Sequence, residues 1–256
     1  MNNEKVRKGF LSAVMEIPVS EIKSTVLKNT NLPRLHEDEK QSILDVYLTL
    51  NDNTEIDIEI QLAYMKSWAE RSTFYLSKMI AEQKNINMTY SNLKKCVAIN
   101  LLDFSYIKQM ERFHTVYHIR EDSENFCYTD IMEWHIVELP KLPSRDDGSD
   151  LYEWIRFLCA KSREEFEMAA KKSEYINEAY QTLEVISQDE KMRLAYLARQ
   201  KYIADTNTLV QENIEKGIVI GRAEGRAEGR AEERRSLIEK LRADGIDEEF
   251  IKKYFE

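Results

Sequence analysis

The stretch SILDVYLTL (42–50), NDN (51–53) and TEIDIEIQL (54–62) decides the fold. Both flanks alternate with a period of two, and the Asn-Asp-Asn triplet between them has the length and composition of a hairpin loop. A three-residue loop pairs Leu50 with Thr54 and, counting back, sets Asp45 opposite Glu59. One face then carries Leu44, Val46, Leu48 and Leu50 with Ile56, Ile58, Ile60 and Leu62, and so is expected to be the core face. The other carries Ile43, Asp45, Tyr47 and Thr49 against Glu55, Asp57, Glu59 and Gln61, with no Lys or Arg among the four carboxylates. That polar face has two readings. A solvated surface is ordinary for an antiparallel sheet. But like charges opposed on neighbouring strands, with Cβ atoms about 5 Å apart, are destabilising. A hard divalent cation, typically Mg²⁺ on one or two carboxylates with waters and a substrate phosphate, offsets that repulsion.

Working outward, KSWAERSTFYLSKMIAEQ (66–83) spaces Trp68, Phe74, Tyr75, Met79 and Ile80 as a helix does. KKCVAINLLDF (94–104) is a mostly apolar run, as expected of a strand buried on both faces. FHTVYHIRE (113–121) and CYTDIMEWHIVELP (127–140), stopped by Pro140, complete the β set. Ahead of the hairpin lie an amphipathic helix from Val6 to Met15, a break at Pro18 and a polar loop through Pro33. The order of helix, two antiparallel strands, helix, strand, then further strands and helices predicts an α/β domain with a mixed sheet.

The composition agrees. The 256 residues are 43% hydrophobic, enough for a sizeable core, and only 7 Gly and 4 Pro exclude collagen-like and Gly/Pro-rich chains. One globular domain with an extension fits this length better than two full domains. With 46 acidic against 37 basic residues the net charge is -9, which weighs mildly against nucleic acid as a partner, although local charge decides. No apolar run approaches the ~18 residues of a membrane span, and the opening residues lack the apolar core of a signal peptide. Cys96, Cys127 and Cys159 are too few and too scattered for a disulfide framework or a zinc knuckle. Buried, reduced thiols in a cytoplasmic protein are expected instead.

Taken in order, ILDVYL, IDIEIQ, ERSTFYLSKM, CVAINLLDF, FHTVYHIRE and WHIVELPK resemble the Rpn-type recombination-promoting nucleases and transposases of the PD-(D/E)XK superfamily, from about residue 5 to the C-terminus. The resemblance implies a restriction-endonuclease-like α/β core, a mixed sheet flanked by helices, followed by a long helical extension. It implies Mg²⁺-dependent hydrolysis of DNA phosphodiesters, associated with recombination or transposition. Asp45 matches the family's metal-binding Asp, Glu59 the acidic residue of the (D/E)-x-K pair, and Gln61 stands at the Lys position. Two carboxylates hold a metal that polarises the phosphoryl group and acidifies the attacking water; Gln61 can orient that water but cannot act as a general base. The Asn-Asp…Phe-Lys…Phe segment usual in the family has no counterpart ahead of the first helix. A truncated, inactive remnant that binds DNA or protein or oligomerises is therefore the alternative expectation. Arg71 and Tyr75 match the family's Arg-Ser…Tyr pattern, and Arg71, Tyr75 and Lys78 share one helical face. That face is either a DNA phosphate contact or the basic rim of an ordinary amphipathic helix.

The histidines offer no obvious metal site. On a strand, His114 and His118 stand about 13 Å apart on one face, too far to chelate, and His36 and His135 have no partner in sequence. Trp68, Trp134 and Trp154 are expected as core anchors. The expected division is a nuclease-like domain over 1–160, a helical region over 161–220, a Gly-Arg-Ala-Glu repeat over 221–235 and a short helical hairpin over 236–256 around Gly245. Each repeat Gly costs about 1 kcal/mol in a helix relative to Ala. The repeat, without an apolar face of its own, is either a spacer or a coiled coil through which the chain forms a homo-oligomer.

Overall fold

The computed structural model forms the hairpin in the register that a three-residue loop dictates, with Leu50 paired to Thr54 and Val46 to Ile58. Asn51 turns the chain at φ 50°, a left-handed conformation that Asn tolerates well. Its side-chain oxygen accepts the N–H groups of Lys23 and Ser24 at 2.7 and 3.2 Å. The structure describes residues 1–32, 42–51, 53–83, 89–188, 190–247, 251 and 254, and for 42, 188 and 190–207 it describes the backbone alone.

In chain order the elements are α1 (Glu4–Met15), β1 (Thr25–Leu27), β2 (Asn31–Leu32), β3 (Ser42–Ile43), β4 (Val46–Leu50), β5 (Thr54–Gln61), α2 (Trp68–Glu82), β6 (Lys95–Leu102), β7 (His114–Arg120), β8 (Cys127–Glu138), α3 (Asp150–Cys159), α4 (Arg163–Ala170), α5 (Glu174–Gln188) and α6 (Glu190–Ala243). Six strands make one sheet in the order β1-β4-β5-β6-β8-β7. The β5–β6 and β6–β8 pairs are parallel, and the others antiparallel. This is the mixed, helix-flanked α/β sheet of a restriction-endonuclease-like fold. β1 and β2 fall in the stretch expected as polar loop, because two- and three-residue strands show no periodicity of their own, whereas β3 lies within the strand expected over 42–50, which the structure breaks at Leu44 and Asp45.

The two sheet faces bury different things. Leu48, Leu50, Ile56, Ile58, Val97, Ile99 and Val137 pack beneath α1 and α3, around Phe10, Leu11, Trp154 and Ile155. On the other face Tyr47, Cys96 and Ala98 meet Tyr75, Leu76 and Met79 of α2, and Trp68 sits against Leu102 and Ile136. α2 therefore covers the face that alternation alone leaves to solvent: Thr49, Glu55, Asp57 and Glu59 are all buried. The apolar face is also shorter than expected. The ladder stops at Val46, so Leu44 turns to the α2 side with Tyr47, and Ile60 and Leu62, beyond the reach of β4, are exposed.

Asn3 caps α1 by accepting the N–H groups of Lys5 and Val6. Gly9 lets α1 lie directly on α5, since a Cβ there would stand 2.3 Å from Tyr175 Cβ. Ala169, Ala170, Ile176 and Ala179 of α4 and α5 are buried. Those helices thus belong to the first compact unit, Met1–Asp189, and the boundary expected at 160 falls inside it. The second unit runs from Glu190 to Glu256. There the Gly-Arg-Ala-Glu repeat lies inside the single 54-residue helix α6, which ends at Ala243, two residues before Gly245 with its φ of 77°. The second half of the expected C-terminal hairpin lies largely outside the described residues, as does His36. Trp68 and Trp154 are buried and Trp134 half-buried. All three cysteines are free, but only Cys96 is buried; Cys127, at the start of β8, is exposed. Among the described residues no helix is long and apolar enough to cross a membrane.

Candidate active site

β5 presents Asp57, Glu59 and Gln61 at every second residue, hence on one face, the face under α2. Asp45 precedes β4 at the break between β3 and β4. Its main-chain N–H donates to Glu59 Oε1 at 3.1 Å, and its own Oδ2 accepts the N–H of Ile60 at 3.0 Å. The two acidic residues singled out in the sequence are thus clasped across the hairpin. Gln61 is half-buried at the end of β5, its amide donating to the Ala63 carbonyl at 3.4 Å.

The fourth carboxylate of this face is a structural one. Glu55 meets Lys28 Nζ at 2.9 Å and Lys94 Nζ at 3.7 Å, with the Thr49 hydroxyl at 3.2 Å. The cations that hairpin arithmetic could not find come from the segment after β1 and the residue before β6. Among the described residues no lysine pairs with Asp57 or Glu59 in this way. Burial, and then the charge of Asp45, push Glu59 up to about 7. Burial, then Glu59 and Asp45, raise Asp57 well above the usual carboxylate range. Asp57 is 1% exposed, and its Oδ1 has no hydrogen-bond partner. The charge of Arg71 opposes both shifts.

Arg71 is fixed by α2 itself. Its Nε donates to the Tyr75 hydroxyl at 3.0 Å, and its guanidinium lies 5.6 Å from the Trp68 ring and 5.2 Å from that of Tyr75. Of the three residues expected on a DNA-contacting face, Arg71 alone is partly exposed. Tyr75 is 8% and Lys78 4% exposed, so both lie buried against the sheet. The helix turns that face inward because the hairpin's polar side is its bed.

The donor set suits a hard cation. Two carboxylates, raised pKa values and an orphaned buried oxygen describe a place where positive charge is wanted. Among the described residues no cluster of three or more His, Cys, Asp or Glu could hold a metal.

Sequence reasoning missed a second polar cluster, on the opposite face of the sheet. His114 Nε2 lies 3.0 Å from His135 Nδ1, His135 Nε2 2.6 Å from Glu133 Oε1, and His118 Nε2 2.8 Å from Glu133 Oε2. Lys95 Nζ reaches the same oxygen at 2.5 Å. The 114/118 spacing gave their shared face, but their partners on β8 became visible only once the β7–β8 register was known. Burial and then His135 lower His114 to about 4. Burial would raise Glu133, but hydrogen bonds from His135 and Lys95 overcome it and hold that carboxyl far below its ordinary range.

No curated protein and no solved structure shows a significant match to the chain. A family model described as PD-(D/E)XK nuclease family transposase matches residues 1–213, which takes in the whole sheet, both clasped carboxylates and α2. With a mixed sheet of this order and an Asp45–Glu59 pair on its central hairpin, the chain belongs to the PD-(D/E)XK nuclease family transposases.

Proposed function

We propose that this chain is an Mg²⁺-dependent DNA endonuclease of the Rpn type, hydrolysing phosphodiesters in recombination or transposition. The observation that carries the reading is the clasp between Asp45 and Glu59, which brings two carboxylates together at a cost to Glu59 itself and to the buried Asp57 beside it. Asp45 and Glu59 would hold the metal, which when bound would supply Lewis-acid polarisation of the phosphoryl oxygen and acidification of a water. Gln61 uses its amide to orient the attacking water. Arg71, preset by the Trp68 and Tyr75 rings, meets a phosphate oxygen, and Tyr75 acts through Arg71 by holding its Nε. We assign the protein to the cytoplasm, where its free thiols stay reduced. Supercoiled plasmid is expected to be nicked by the purified chain with Mg²⁺ and left intact with EDTA. Nicking that survives EDTA, or none from a folded protein, overturns the assignment.

We further propose that α6 self-associates. Val210, Ile214 and Ile218 stand 45%, 50% and 47% exposed along one helical face, which continues into Gly221, Gly225 and Gly229. By helix geometry the Arg of each repeat lies on one side of that stripe and the Glu on the other. A parallel second copy therefore sets Arg against Glu, whereas an antiparallel one opposes like charges. Light scattering is expected to give twice the chain mass, reverting to the single mass in an Ile214→Glu, Ile218→Glu variant. A monomeric wild-type chain ends this proposal.

A further inference from the structure

Immediately beyond Gln61 the chain leaves the sheet and builds an aromatic ledge. The Tyr64 and Phe104 rings meet edge to face, with centroids 5.4 Å apart at 74°. Phe104 and Tyr106 repeat the arrangement at 6.4 Å and 72°. The inner end of the ledge is firmly fixed. The Tyr106 hydroxyl accepts the N–H of Ala69 and donates to the Lys66 carbonyl, each at 3.2 Å. The main-chain N–H groups of Tyr106 and Ile107 both donate to Glu138 Oε1, at 2.5 and 3.0 Å. Glu138 is itself fully buried and held by Lys141 at 2.7 Å. The outer end is open: Tyr64 is 59% exposed. An exposed tyrosine whose neighbours are this thoroughly anchored is a preorganised flat surface rather than a stray side chain on a loop.

We infer that this ledge stacks an unpaired nucleobase of the strand entering the Asp45–Glu59 site, which makes single-stranded or locally melted DNA the substrate class. The inference rests on the nuclease reading and adds to it the form of DNA accepted. Three kinds of observation support it. Position comes first. Three residues separate Gln61 from Tyr64, at most about 10 Å of chain, or about three nucleotides at a 3.4 Å rise. The exit of β6 toward the ledge is tied to the same residue, since the N–H of Asp103 donates to the Gln61 carbonyl at 2.9 Å. The second is shape. An aromatic face fits any base, but only where the face of that base is free, and in a duplex neighbouring pairs cover it. The third is charge. Lys66 and Lys108 are exposed around the ledge, but so are Asp103 and Glu70, and the whole chain carries a net -9. Without a one-signed basic field, the counterion release that drives duplex binding is small. Stacking then has to supply the affinity.

The test is fluorescence anisotropy of a labelled oligothymidine strand with the full-length chain in EDTA, which reads binding with no dependence on cleavage. Tyr64→Ala is expected to weaken binding roughly tenfold, the size of one lost base–aromatic stack. Tyr64→Phe should bind as wild type, because it keeps the ring, and an unlabelled duplex should compete poorly. Equal binding by Tyr64→Ala and wild type, or equal competition by duplex and single strand, overturns the inference, the first of these leaving the ledge free for a protein partner. Failure of the nuclease reading looks different, since strand binding by the ledge would persist with no Mg²⁺-dependent nicking beside it.

Discussion

Asp45→Ala is expected to lower Mg²⁺-dependent plasmid nicking by about a thousandfold while making the metal-free protein slightly more stable. The loss follows from removing one of two ligands. With Glu59 alone the ion is held too weakly to fix its geometry, and the several kcal/mol of transition-state stabilisation that a bound metal supplies is forfeited. The gain has the opposite origin. Glu59 is raised from 4.5 to about 7, first by burial and then by Asp45, so its charged form is disfavoured in the folded chain. Because the folded pKa lies above the ordinary one, stability is greatest below about 4.5 and is lost as the pH rises toward about 7. The whole shift corresponds to about 3 kcal/mol. Asp45 contributes the smaller part, so a part of that stability should return above neutral pH in the variant, as a higher melting temperature. Calorimetric melting in EDTA across that pH range, beside the nicking assay, reads both effects. A variant that nicks normally removes Asp45 from the site, and one whose pH dependence of melting matches wild type shows that the two carboxylates do not sense each other.

The sequence carried the clasp because the loop was short. Three residues between two alternating runs leave one register, and that register alone puts Asp45 beside Glu59. What it could not carry was everything supplied from outside the hairpin. Glu55 looks identical to Glu59 in a period-two pattern, yet Lys28 and Lys94 make it an ion-paired strut, while Glu59 faces Asp45 instead. The polar face was open to a solvated reading because alternation records only that two faces differ; α2 then buried the second face as well. Leu44 broke the pattern because it lies within the two-residue break between β3 and β4, where no ladder holds the alternation. Tyr75 and Lys78 shared a helical face with Arg71, as the spacing said, but spacing is silent on which way a face points.

The His–Glu cluster is the clearest case of chemistry that only tertiary pairing reveals, and it sets the second large effect. Glu133→Ala is expected to destabilise the 1–189 unit by about 3–5 kcal/mol, the cost of breaking a buried ionic group by removing one partner. For a unit of that size the melting temperature falls by roughly 10 °C. The reason is that one carboxylate, 7% exposed, receives Lys95, His118 and His135 together, and joins β6 to β8 and β8 to the edge strand β7. Removing it takes away the one carboxylate these three side chains share, and with it their link across β6, β8 and β7. The same cluster makes the unit acid-sensitive in a defined window. His114 sits below its ordinary 6.5, at about 4, so stability held above about 6.5 drains as the pH falls toward 4. Glu133 lies below its ordinary 4.5, so its share is lost only under still more acidic conditions. Glu133→Ala should therefore abolish the loss below about 4.5 and leave much of the His114 step in place, whereas His114→Gln should flatten the upper step alone. Chemical denaturation across pH 3.5–7.5 separates the two, because linkage fixes the sign of each slope. If Glu133→Ala melts like wild type, the four side chains are neighbours without being a joint, and β7 is held by its backbone ladder alone.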